Sequence, residues 1–81
     1  MSQIEVYRII MELGGRATTN QVANLLASRF PGLGLQVYVR RTLKRMERQG
    51  YIRHLGDDTW EIALKNKPSW AVGLTAGTGE G

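Results

Sequence analysis

The chain has 81 residues, one histidine and no cysteine, and eleven lysines and arginines against seven acids leave it a net charge of +4. That length suits one small domain, the missing cysteines exclude a disulfide framework or thiolate metal site, and His54 alone cannot build a zinc centre. No apolar run is long enough to span a bilayer, and Met1 to Gly15 lacks the basic start and apolar stretch of a signal peptide, so a soluble cytoplasmic protein with no metal and no cofactor is expected.

Ser2 and Glu5 open the chain at capping-box spacing. Ile4, Tyr7, Ile10 and Met11 follow at steps of three and four, which predicts a first helix over Gln3 to Leu13 that Gly14-Gly15 ends. Arg16-Ala17 reads as a short extended link. Thr18 and Gln21 repeat the capping-box spacing, and Val22, Ala23, Leu25, Leu26 and Phe30 make one apolar face, predicting a second helix over Thr19 to Arg29. Pro31-Gly32-Leu33-Gly34 is a turn.

A third helix begins near Leu35 or Gln36 and stops at Gly50, with Val39, Leu43 and Met46 as its buried stripe. Beyond it the period changes to that of strands. Tyr51 to Leu55 and Thr59 to Leu64 read as a hairpin closed by Gly56-Asp57-Asp58, with Trp60, Ile62 and Leu64 on one face. The domain is therefore expected to occupy residues 1–65. Residues 66–81 read as a glycine-rich, mostly flexible tail, within which Trp70, Val72 and Leu74 alternate. That alternation allows a further strand or a subunit contact, or simply one tryptophan resting on the core.

The third helix concentrates the charge. Between Gln36 and His54, Arg40, Arg41, Lys44, Arg45, Arg48 and Arg53 face only Glu47, an excess larger than the net charge of the whole chain. Cations gathered on one helix are the electrostatic footprint of a protein that docks on a phosphate backbone. A solvated basic face is the plainer alternative.

The order helix, link, helix, turn, helix, hairpin resembles the winged helix-turn-helix superfamily over Ser2 to about Leu64. Val37 to Ile52, in which a basic helix ends in Gly50 and runs into the apolar pair Tyr51-Ile52, is similar to the recognition helix and wing start of small prokaryotic, archaeal or archaeal-viral transcription regulators. The resemblance implies an α+β fold of three helices followed by a two-stranded β-hairpin wing. It also implies a nucleoid-associated regulator of transcription that binds double-stranded DNA, as a homodimer through Tyr7, Ile10 and Met11 of the first helix or through the Trp70 tail.

In such motifs the second helix enters the major groove and its first turns meet base edges. Here that assigns Gln36, Val37, Tyr38, Arg40, Arg41 and Lys44. Arg40 and Arg41 each offer a planar fork to guanine or a clamp to phosphate, Gln36 suits adenine, and Tyr38 suits a thymine methyl or a phosphate. Lys44, Arg45 and Arg48 suit backbone phosphates, Arg48 being equally placed to complement the helix dipole. Thr18 is foremost a cap that also offers a helix N-terminus to phosphate. Asn20 and Arg16 are weaker phosphate candidates, and Arg53 reaches toward the backbone from the strand base. The hairpin tip departs from the family pattern. Asp57 and Asp58 stand where wings usually carry cations, which argues against wing insertion and suits a tight turn instead.

No nucleophile–base pair, carboxylate pair or phosphate loop is visible, so no catalysis is expected. Two other readings compete with the regulator: a winged-helix adaptor for proteins, which the acidic tip suits, and a non-specific nucleoid-type DNA-binding protein.

Overall fold

Two of the three helices end where glycine allows a left-handed backbone. In the computed structural model, which describes residues 3–32 and 35–71, helix α1 spans Gln3–Glu12. Gly14 and Gly15 (φ 96° and 92°) then turn the chain. Gly15 N–H donates to the Ile10 carbonyl at 2.8 Å and Gly14 N–H to that of Met11 at 3.0 Å, the paired bonds of a Schellman stop. Helix α3 (Gln36–Arg48) ends the same way, with Gly50 at φ 83° and Tyr51 N–H donating to the Met46 carbonyl at 3.0 Å. Between them α2 (Thr19–Arg29) starts in the expected capping box: Thr18 Oγ1 accepts from Gln21 N–H at 3.0 Å, and Gln21 Oε1 accepts from Thr18 N–H at 2.9 Å. The box expected at Ser2 and the turn residues Leu33 and Gly34 lie outside the described residues.

The sheet has three strands, not two. Besides β2 (Ile52–Gly56) and β3 (Thr59–Ile62), the link after α1 forms β1 (Arg16–Thr18) and pairs antiparallel with β3, in the order β1-β3-β2. Ala17 faces the core while Arg16 points out. Three residues are too few to display alternation, and the partner of Ala17 is Trp60, far along the chain. The α+β class and the three helices stand, in a layout compatible with a winged-helix arrangement.

Asp57 and Asp58 (φ 49° and 61°) form the two-residue hairpin loop, and positive φ at both central positions is what a type I′ turn requires. Gly56 pairs with Thr59, and Leu55 is the extra residue of a bulge. β3 stops at Ile62, so Leu64, expected on the inner face, is 73% exposed.

The core joins both layers. Val6, Tyr7, Ile9 and Ile10 of α1 meet Val22 and Leu26 of α2, Val39, Leu43 and Met46 of α3, and Ile52, Trp60 and Ile62 of the sheet. Trp60 is also anchored by its indole N–H, which donates to Thr19 Oγ1 at 2.9 Å.

Two expectations fail here. Tyr7, Ile10 and Met11 are buried in this chain's own core, so they offer no surface to a second copy. The ordered domain also runs past residue 65. Asn66 Nδ2 donates to the carbonyls of Gly50 at 3.0 Å and Gln49 at 3.3 Å, Pro68 and Ala71 are buried, and the short 3-10 turn Ser69–Ala71 sets Trp70 edge-on against Tyr7 and Tyr51, with ring centroids 5.2 and 6.1 Å apart. Trp70 thus rests on the core, as the plainest of the three readings had it. Val72 and Leu74 lie outside the described residues.

Candidate nucleic-acid interface

Helix α3 is fixed from beneath by Val39, Leu43 and Met46, each fully buried. With 3.6 residues per turn, that seam sends Val37, Arg41, Lys44 and Arg48 to the opposite, outermost face. These four, with Arg40 at one flank, line a shallow depression of about 270 Å³. Tyr38 and Arg45 lie on the other flank, where they share a depression of about 240 Å³ with Gln3 of α1, Arg41 and Thr42. Tyr38 is half-buried there, which turns it from the fully outward position expected of it.

The cations divide into two sets. Arg41, Lys44, Arg45 and Arg48 make no side-chain hydrogen bond or ion pair among the described residues. Arg40 does. Its Nε donates to Asp58 Oδ1 at 3.3 Å and its Nη2 to Oδ2 at 2.6 Å, a side-on bidentate grip from the hairpin tip. The guanidinium holds the Asp58 carboxyl below the usual carboxylate range, the hydrogen bond being the main cause. Both side chains keep solvent access, 39% for Arg40 and 44% for Asp58. The hairpin tip therefore folds back on the helix layer, an arrangement reinforced where Thr19 N–H donates to the Asp58 carbonyl at 2.9 Å. The expected clash between an acidic tip and phosphate is halved, since one of its two carboxylates already has a cation.

Arg53 does not join the outward face of α3. It pairs with Glu61, which also receives Arg16 Nη2 at 3.2 Å. Arg16, Glu61 and Arg53 sit side by side in the register of the three strands, and the two guanidiniums hold the Glu61 carboxyl below its ordinary range, Arg53 contributing most. Arg16 and Arg53 thus spend one charge between them on Glu61. Gln36 Nε2 donates to Asn20 Oδ1 at 2.6 Å, tying the first turn of α3 to the start of α2. Asn20 so acts on Gln36, and Thr18 acts as a cap. Two exposed apolar side chains at the head of the helix, Leu35 and Val37, are each 65% accessible.

Asp58 is the residue that sequence reasoning left out of the site. Its signal was present as the departure from a basic wing tip, but nothing local linked it to a helix eighteen residues earlier. His54, which stacks on Trp60 at 4.3 Å and 19°, serves the hairpin. No helix among the described residues is long and apolar enough to cross a membrane.

No protein-family model matches this chain, and comparisons with curated proteins and with solved structures give no match either.

Proposed function

We propose that this chain is a DNA-binding regulator of winged helix-turn-helix type, which lays α3 in the major groove of a duplex. The observation that carries this reading is the strip Arg41, Lys44 and Arg48, with Arg45 beside it, charged, without side-chain partners among the described residues and on the face opposite the core seam. A helix with its side chains is about 10–12 Å across, which fits a groove about 12 Å wide. Lys44, Arg45 and Arg48 neutralise phosphates and set affinity, while Gln36, Val37, Arg40 and Arg41 lie in the turns that meet base edges. Val37 is apolar and exposed, as a thymine-methyl contact requires. The reading assigns no catalytic step to any residue.

One helix reads few base pairs, so selectivity calls for a homodimer on two half-sites. Its contact must come from a surface other than the buried Tyr7, Ile10 and Met11.

A fluorescence-anisotropy titration of duplex DNA at several salt concentrations tests the proposal. Three phosphate contacts, from Lys44, Arg45 and Arg48, give a log–log salt slope of roughly −3. Lys44→Ala and Arg48→Ala should each weaken binding to all duplexes alike and reduce the slope by about 1. Undetectable binding at low salt overturns the reading. Selection from a random duplex pool then separates a specific regulator, which enriches a palindrome, from a nucleoid-type binder, which enriches nothing.

A further inference from the structure

Arg40 and Arg41 are adjacent and chemically identical, yet the fold treats them differently. Arg41, on the outermost face, has no side-chain partner among the described residues. Arg40 is held by two hydrogen bonds from Asp58 at 3.3 and 2.6 Å, both on the Nε–Nη2 edge of its guanidinium. That edge uses two of the five N–H donors. The end-on fork, one N–H from Nη1 and one from Nη2, takes no part in the grip. Arg40 also lines the same depression as Val37, Arg41, Lys44 and Arg48.

We propose that Asp58 is a positioning residue for base recognition: it clamps one edge of the Arg40 guanidinium so that the opposite fork is held ready for the O6 and N7 acceptors of a single guanine. The proposal deepens the DNA-binding reading and rests on it. Guanine displays two acceptors side by side in the major groove, and a planar arginine fork matches them. A free arginine must surrender its rotamer freedom on making that contact, whereas Arg40 has already done so in the folded protein. The pair Arg40–Asp58 carries no net charge, so it adds little attraction to a polyanion. It contributes choice of base, and the unpaired cations contribute affinity.

This division also accounts for an acid at the tip of the wing. A carboxylate near phosphate weakens binding to every sequence, and its benefit appears only as discrimination. Asp58 lies at φ 61°, a conformation that asparagine accepts as well as aspartate, so Asp58→Asn preserves the turn. Asp57, at φ 49°, has no side-chain link to Arg40 and supplies the matched control.

The experiment uses the full chain and a duplex enriched from a random pool, with each guanine pair of that site replaced in turn. The unmodified protein should favour guanine at one position by about 5- to 150-fold, the range of one bidentate arginine contact. Arg40→Ala should bring the preference at that position close to one. Asp58→Asn should do the same while binding duplexes that lack that guanine more tightly at low salt, and Asp57→Asn should tighten binding with the preference intact. Arg40→Lys, which keeps the ion pair and loses the fork, is the second variant and should also flatten that position. A thermal melt of each variant shows that the fold is retained. If Asp58→Asn keeps the full preference that Arg40→Ala abolishes, Asp58 has no positioning role and the proposal fails while DNA binding stands. Equal loss in Asp57→Asn overturns it as well, because tip charge alone then explains the effect. If the unmodified chain binds no duplex, the functional reading itself falls and takes this proposal with it.

Discussion

Tyr7 carries its hydroxyl into the core, where among the described residues it meets no hydrogen-bond partner. Burial raises its pKa, since the phenolate is excluded from so apolar a site. An unsatisfied buried hydroxyl costs about 1–3 kcal/mol, while the ring itself earns its place against Trp70. Tyr7→Phe keeps the ring and removes the orphan. We expect it to raise stability by about 1 kcal/mol, which a domain of this size registers as a rise in melting temperature of roughly 4–8 °C. A lower melting temperature would show that the hydroxyl has found an acceptor. At the same scale, adjacency hid the difference between Arg40 and Arg41. One step along α3 is a rotation of about 100°, enough to carry one arginine to the hairpin and leave its neighbour facing solvent.

The start of α2 is the element on which site and fold converge. Thr18 belongs to β1 and caps the helix, Thr19 N–H holds the Asp58 carbonyl, Thr19 Oγ1 holds the Trp60 indole, and Asn20 holds Gln36. Thr18→Ala leaves Gln21 N–H without its acceptor and should cost about 1 kcal/mol, within the range for N-cap threonine, read as a shift in the urea midpoint. The slope of the unfolding transition should not change, because the surface exposed on unfolding stays the same. Both the capping box and the glycine stops of α1 and α3 were legible, since each depends on residues within a few positions of one another. β1 was not. Its residues suggested only an extended link, and the strand exists because β3 returns alongside it.

Over the whole molecule, residues 66–71 are part of the structure rather than an appendage. Trp70 closes over Tyr7 and Tyr51, and Asn66 satisfies the carbonyls of Gln49 and Gly50, just past the end of α3. Trp70→Ala should therefore destabilise the domain by about 2 kcal/mol, a partial loss of the burial energy of a large aromatic; an unchanged melting temperature would show that the ring contributes no packing.

Charge acts at this scale too. Glu12 (paired with Arg29), Asp58 (with Arg40) and Glu61 (with Arg53 and Arg16) all have carboxyl pKa values below the ordinary range, chiefly through the hydrogen bonds they accept. A group whose folded pKa is depressed stabilises the fold above its unfolded value, about 4, and that stabilisation fades as pH falls through the folded value. Stability should hold level from neutral pH to about 5 and decline below about 4. The decline should be modest, because all three pairs keep solvent access, and urea unfolding at pH 7 and pH 3 measures it. High salt should shrink it further.

The amino-acid order by itself determined the three helices, the capping box of α2, the glycine stops of α1 and α3, the hairpin, and the gathering of cations on one rod, because each of these arises from interactions among near neighbours in the chain. Only the tertiary structure decided which cations stay unpaired, that an acid at the hairpin tip belongs to an arginine on α3, and that the first helix keeps its apolar face for its own core. Those outcomes depend on groups that the folded backbone brings together from distant positions, and no local pattern encodes such a distance.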